Sequence, residues 1–223
     1  ARHRAAAGQL AEQTLADAGE RRHLHLLDDG MQHRGLARDA EIVLLHRSDF
    51  ETTMLPAGRL REPLTAFKRA DFVVLRREDA ALADRARRWM RSDAQLWTIR
   101  RDMEMPALPG AAVVFCAIAH GKEFVEGVQK SGATIAAARC WRDHHRFTER
   151  DVEWLREAAV KHQAGCIVTT EKDLMRLTGA QRARLEEIAP LLTVRLKVWI
   201  ENSKAVLDAL EAHLDACLGQ SIA

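Results

Sequence analysis

The sequence predicts an α/β protein, and three observations carry that expectation. Compact apolar runs of strand length recur along the chain, among them Glu41 to Leu45, Asp71 to Leu75, Ala112 to Ile118 and Cys166 to Thr169. Segments with apolar residues at helical spacing stand between many of them, an alternation that suits a sheet with helices packed on it. The stretch His23 to Arg34 alternates Leu24 and Leu26 with His23 and His25, then ends in Asp28-Asp29-Gly30. That pattern reads as a strand to Asp28 whose carboxyl end carries acidic groups, the place where α/β sheets bind their ligands.

Taken in order, residues 4 to 18 place Leu10, Ala11, Thr14, Leu15 and Ala18 on one helical face, closed by Gly19. The strand to Asp28 follows, then a polar loop from Asp29 to Asp39 and the strand Glu41 to Leu45. Residues 47 to 63 include Leu55-Pro56-Ala57-Gly58-Arg59-Leu60-Arg61-Glu62-Pro63, a run punctuated by Pro and Gly and therefore a shaped loop. Pro63 suits the first turn of a helix through Arg69. A strand to Leu75 and a helix over 79–91 come next.

The pattern breaks over Met103 to Gly110, where two prolines and a glycine mark a boundary between parts 1–107 and 108–223. The second part repeats the alternation: strand Ala112 to Ile118, helix 122–131, strand 133–140. Thr148-Glu149-Arg150-Asp151 resembles a capping box that opens a helix with Val152, Leu155 and Ala159 inward. Strand Cys166 to Thr169 runs into a similar start at Thr170. A strand from Leu191 to Ile200 and a helix from Ser203 end the chain.

Composition narrows the function. Nearly half the residues (47%) are hydrophobic, enough for a sizeable core, and a net charge of +2 argues against a nucleic-acid binder. Arg outnumbers Lys 27 to 7, which fits either anion recognition or coding bias. Cys116, Cys140, Cys166 and Cys217 stand far apart without a Cys-x-x-Cys, so neither a zinc site nor a disulfide framework is indicated. No apolar run approaches a membrane span, and no signal-peptide pattern opens the chain.

Three polar clusters can carry chemistry. Asp28 and Asp29 suit a metal held against phosphates, with Asp28 the better metal-side candidate; the competing reading is a solvated Asp-Gly turn. Arg59 and Arg61 can supply guanidinium donors to phosphate oxygens, or Arg61 and Glu62 are surface charges on a Pro-flanked turn. Asp143-His144-His145 suits an acid-base histidine oriented by a carboxylate, a metal site, or a hydrogen-bonded loop. The phosphate-cradling pattern Gly-x-x-x-x-Gly-Lys-Ser/Thr is absent from these residues: Glu123 follows Gly121-Lys122, and Cys116 stands where the first glycine would be.

Together these clusters resemble the tetraacyldisaccharide 4'-kinase (lipid A 4'-kinase) family. The resemblance rests on Leu26 to Asp39 followed by the strand Ile42 to Leu45, on Leu55 to Pro63, Phe115 to Ile118, Asp143 to Thr148, and Thr169 to Asp173, in the family's order. It implies a P-loop NTPase-like sheet without its Walker A part over 1–107 and a smaller α/β domain over 108–223. It further implies ATP- and Mg²⁺-dependent phosphorylation of the 4'-hydroxyl of a lipid A disaccharide 1-phosphate precursor. By this likeness Asp28 and Asp29 are the metal-binding pair and Gln32 and His33 lie beside the nucleotide. Arg61 steadies the transferring phosphoryl group, Glu62 supports it, and His144 partners the catalytic aspartate. The family's amino-terminal part, with anchor, Walker A loop and base aspartate, has no counterpart here, so the resemblance implies a truncated member inactive by itself. It also implies peripheral contact with lipid at the cytoplasmic face of the bacterial inner membrane. The alternative is a non-catalytic relative that binds the lipid disaccharide or a partner without turning over nucleotide.

Overall fold

A computed structural model describes residues 4–17, 19 and 24–221; Ala18 and His23 of the sequence reading lie outside them. The fold is α/β, in two compact units. The first takes residues up to Arg100 together with Trp199 onward, and the second is Arg101–Val198.

The first unit holds α1 (Arg4–Asp17), a stretch without helix or strand over residues 24–41, and parallel strands β1 (Ile42–Leu45), β2 (Phe72–Arg76) and β3 (Gln95–Glu104), with Ile42 opposite Phe72 and Phe72 opposite Gln95. All five residues of β2 are buried, as expected of a strand covered on both faces. On one face Val73 and Leu75 join Leu45, Phe50, Phe67, Ala86 and Met90. On the other, Phe72 stacks on Trp97 at 4.1 Å, and Val206 of α7 (Ser203–Ser221) closes the cluster with Val74. The sequence reading put α7 in the second part. Its Val206 and Leu210 pack on β2 and β3, and this burial groups the last helix with the first unit.

The expected strand over Leu24 to Asp28 does not form. Residues 24–27 carry no regular structure, and the turn falls on Asp28 and Asp29. Among the described strands β1 pairs only with β2, so residues 24–28 do not add to the sheet at the β1 edge, and alternation alone does not make a strand. Leu26 accordingly stays 87% exposed. The left-handed residue of this turn is Asp29 (φ +53°), a side chain that tolerates that region, and not the glycine after it. The helix over 79–91 is shorter than expected, a 3-10 turn at 77–82 running into α2 (Ala83–Arg87).

The second unit holds β4 (Ala112–Cys116), β5 (Ile135–Cys140), β6 (Cys166–Thr170) and β7 (Leu191–Ile200), side by side in the order β7-β6-β4-β5 with parallel pairing. Alternation decides which face each residue covers. Val113, Phe115 and Ile167 meet Val152 and Leu155 of α4 (Glu149–Lys161) and Leu185 of α6 (Gly179–Glu186). Ala112, Val114, Cys116, Cys166 and Val168 meet Phe124 and Val128 of α3 (Gly121–Lys130). Thr148 caps α4 in a capping box with Asp151, and Thr170 caps the single turn α5 (Glu171–Leu174), both as the sequence indicated. β3 and α6 were not anticipated. β3 is half polar (Gln95, Arg100, Arg101, Asp102) and only Trp97 along it is fully buried, while α6 carries mostly charged and polar residues.

Candidate active site

The loop over residues 28–41 is organised by one side chain. Arg38 donates from Nη1 to the carbonyls of His33 (2.8 Å), Gly30 (3.3 Å) and Leu36 (3.3 Å), and from Nε to Glu41 (2.5 Å). Glu41 immediately precedes β1, so the acidic turn is tied to the sheet through this guanidinium. Arg38 adds a donor to the carbonyls of Gly30 and His33, which already accept turn hydrogen bonds from His33 N–H and Leu36 N–H, and reaches Leu36 O as well. Gln32, three residues beyond Asp29, has a buried Oε1 without a hydrogen-bond partner among the described residues.

The second loop is shaped by Gly58. Leu55 N–H donates to Leu60 O (2.9 Å), Leu60 N–H to Thr53 O (3.1 Å) and Gly58 N–H to Met54 O (3.0 Å). A Cβ on Gly58 would stand 2.0 Å from Thr53 O, so only glycine permits this tight return. The Leu55–Pro56 bond is cis. The loop delivers Arg61 to the acidic turn, where its Nη1 donates to Asp29 Oδ2 at 2.7 Å although the two residues are 32 apart in sequence. Both side chains are 61% exposed, so the pair contributes little to stability. Its value is placement: a guanidinium with donors to spare stands against a carboxylate of the acidic pair.

Glu62 points the other way, into a cradle of Arg69 and Arg34. Arg69 Nη2 makes a short contact to Oε2, and Arg34 Nη2 donates to Oε1 at 3.2 Å. The Arg69 hydrogen bond holds the Glu62 carboxyl below its usual range, against a smaller opposing effect of burial. Glu62 is thus an ionised anchor that fixes the residue next to Arg61. Neither Arg34 nor Arg69 was singled out from sequence. The only local signal was a basic residue seven positions after Glu62, at the end of the 3-10 turn Leu64–Arg69.

In the second unit the two adjacent histidines separate completely. His145 stacks on Trp141 (5.8 Å between centroids) and bonds Asp151 through Nε2 at 2.8 Å. Asp151 also accepts from Trp141 Nε1, Thr148 N and Thr148 Oγ1. Burial pushes its carboxyl up, but the His145 and Thr148 hydrogen bonds outweigh that and hold it at about 2. His145 is therefore a structural residue of the α4 cap. A depressed carboxyl stabilises the fold above its ordinary 3.8, and that contribution is lost as pH falls toward 2. Asp151→Ala is expected to cost on the order of 2 kcal/mol at pH 7. In urea titrations the gap to the parent should close between pH 4 and pH 2; a gap independent of pH would contradict the assignment.

His144 is the exposed member, held in a left-handed conformation (φ +61°). Its N–H donates to Asp143 Oδ1 at 2.9 Å, and Arg176 Nη2 meets its Nδ1 at 3.1 Å. Asp143 has Lys172 at 3.6 Å. Of the predicted site residues, then, the structure brings Asp29 and Arg61 into contact and sets Glu62 behind them. Asp28 opens the same turn, and Gln32 and His33 lie on the loop Arg38 clamps. His144 is built separately in the second unit.

The donor chemistry of the first cluster fits the predicted ligands. Adjacent carboxylates offer the hard oxygens that Mg²⁺ takes in ones and twos beside substrate phosphates. The unpartnered Gln32 Oε1 suits a hydroxyl or a metal-bound water. No helix among the described residues is long and apolar enough to cross a membrane.

Comparison with known proteins gives a consistent result. The family model described as "LpxK: Tetraacyldisaccharide-1-P 4'-kinase" matches residues 1–215. A protein of Koribacter versatilis named tetraacyldisaccharide 4'-kinase is 39% identical over 207 residues, covering 92% of this chain and 60% of that protein. One of the same name from Anaeromyxobacter sp. is 36% identical over 218 residues, covering 86% and 55%. A crystal structure of LpxK from Aquifex aeolicus, described as an "apo" form in complex with ATP, aligns with TM-score 0.56 and 23% identity over 83% of this chain and 56% of that one. At that identity the likeness concerns the fold. The chain spans about 55 to 60% of the length of the curated relatives cited.

Proposed function

Because the chain belongs to the tetraacyldisaccharide-1-phosphate 4'-kinase family, we propose that it forms the metal-and-arginine side of a site that transfers the γ-phosphoryl group of ATP to the 4'-hydroxyl of a lipid A disaccharide 1-phosphate precursor. The observation that carries this reading is the 2.7 Å pairing of Arg61 with Asp29 inside an acidic turn. A solvated Asp-Gly turn has no need of a guanidinium delivered from a shaped loop.

Asp28 and Asp29 would hold Mg²⁺, which when bound neutralises charge on the nucleotide phosphates. Asp29 also orients Arg61. The remaining donors of that guanidinium would serve the equatorial oxygens of the phosphoryl group, where charge spreads during transfer. Glu62, locked by Arg69 and Arg34, keeps the Arg61 backbone in place. Gln32 and His33 contact the nucleotide, and His144 hydrogen-bonds the carboxylate that takes the hydroxyl proton. The lipid acceptor implies peripheral contact at the cytoplasmic face of the inner membrane.

The chain contains no phosphate-cradling loop of the Gly-Lys-Ser/Thr kind. By itself it is therefore expected to leave the disaccharide unphosphorylated. The test joins it to a segment carrying such a loop and follows radiolabel from γ-labelled ATP into the disaccharide. Magnesium-dependent labelling at the 4' position by the joined polypeptide, and none by the 223-residue chain, is the expected result. Labelling of water-soluble sugars in its place would point to another phosphotransferase, and nucleotide-free binding of the disaccharide would favour a non-catalytic relative.

A further inference from the structure

We propose that Arg176 is a positioning residue that locks His144 in one neutral tautomer, with the proton on Nε2, so that His144 works as a hydrogen-bond donor and not as a base at that nitrogen. The role of His144 in phosphoryl transfer rests on the function proposed above; the lock does not.

The lock is built from the core outward. Asp173 is fully buried in α5, the single turn that follows β6, where its carboxylate accepts from Ala117 N–H (2.9 Å) and Thr170 Oγ1 (2.8 Å). Arg176, one turn later, donates from Nη1 to Asp173 Oδ1 (3.0 Å) and to Ala117 O (2.7 Å). Nη1 is thereby pinned by a carboxylate and a carbonyl at the carboxyl end of β4. Because the guanidinium is planar, fixing Nη1 also fixes the direction of Nη2, and Nη2 reaches His144 Nδ1 at 3.1 Å. His144 N–H is meanwhile bonded to Asp143 and lies 3.3 Å from Ala117 O, so backbone and ring refer to the same strand end.

Arginine has donors and no acceptor at neutral pH. A proton on Nδ1 would set two donors face to face, so Nδ1 must present its lone pair to Arg176. The ring proton then sits on Nε2, which lies 3.7 Å from Asp143 Oδ2 on the exposed side of the ring. A nitrogen bearing its proton cannot remove one. It can donate to a carboxylate or phosphoryl oxygen, and in the proposed reaction it orients the carboxylate that acts as base. The Asp173–Arg176 pair thus serves two ends, neutralising a buried charge and choosing which ring nitrogen works.

The test reads the tautomer directly. Long-range proton–nitrogen spectra of the ¹⁵N-labelled chain, recorded above the histidine titration range with His144 assigned by its loss in His144→Gln, should show Nε2 protonated and Nδ1 as a hydrogen-bonded acceptor. Arg176→Lys keeps a cation near Asp173 but lacks the fork, and should move Nδ1 to the value of a free acceptor. Arg176→Gln can accept as well as donate and should let the Nδ1–H form appear. Unchanged amide signals of Ala117 and Asp173 report that the fold is intact. Protonated Nδ1 in the parent chain, or identical His144 signals in parent and Arg176→Lys, would overturn the lock. In the joined polypeptide, Arg176→Lys should lower kcat about tenfold with KM for ATP unchanged, and cause no further loss when His144 is already replaced. Additive losses would overturn the positioning role. Complete absence of turnover in the parent would refute the proposed function and leave the tautomer result standing.

Discussion

Arg61→Ala in a phosphoryl-transferring polypeptide containing this chain is expected to lower kcat by about 10³-fold while leaving the thermal midpoint within a degree or two of the parent. The asymmetry follows from where the side chain sits. Its partner Asp29 and the guanidinium itself are each 61% exposed, so breaking the pair removes little folding energy. What is lost is a fixed, planar set of donors beside the acidic turn, whose value appears only when charge spreads over the phosphoryl oxygens. Arg61→Lys should recover no more than about tenfold, since one ammonium cannot donate to Asp29 and to the phosphoryl group with the geometry of a fork. Stopped-flow or radiolabel kinetics check both numbers. A kcat within threefold of the parent for Arg61→Ala would remove Arg61 from the reaction.

Asp173→Ala should have the opposite profile, a large loss of stability. The carboxylate is fully buried and accepts from Ala117 N–H, Thr170 Oγ1 and Arg176. Removing it strands a buried amide and leaves the Arg176 charge without its carboxylate. Breaking one side of such a pair costs about 3–5 kcal/mol, or roughly 10 °C or more in midpoint for a unit of this size. Asp173→Asn keeps an acceptor for Ala117 N–H and should lose less. Urea unfolding monitored by tryptophan fluorescence gives the order parent, Asn, Ala. A cost under 1 kcal/mol for Ala would mean that the latch between Ala117 and Asp173 is not what holds the carboxyl ends of β4 and β6 together.

Much of the sheet was legible because burial on both faces leaves little else for a run such as Val113-Val114-Phe115 or Ile167-Val168 to do. The capping residues Thr148 and Thr170 were legible for a local reason, the reach of a hydroxyl to an N–H three residues on. β3 escaped because half of its side chains are polar. Leu24 to Asp28 was misread because alternation is compatible with a half-buried strand and becomes one only when the segment joins a ladder, which residues 24–28 do not.

The site divides along the same line between local and distant effects. Asp28, Asp29, Arg61, Glu62 and His144 stood out as polar clusters and took their roles from the family resemblance, and Asp29 and Arg61 do meet across 32 residues. Nothing in sequence singles out the Arg34 that reaches Glu62 across 28 residues or the Arg176 that reaches His144 across 32. Arg69 and Arg38 lie within eight residues of the groups they hold, but arginine is spread through the whole chain and local spacing does not say which one turns inward. Only the fold tells which guanidinium reaches which carboxylate. The histidine pair is the reverse case, two neighbours that sequence treats as one cluster and the backbone at His144 (φ +61°) sends to different tasks.

The most direct test of the account is 4'-phosphate formation by the joined polypeptide with Asp29→Asn, an isosteric change in an exposed turn that should leave the fold untouched. The acidic pair as the metal-and-arginine side of the site predicts that labelling of the disaccharide falls to background, at least a hundredfold below the parent. Labelling at the parent's rate with Asn at this position would contradict it.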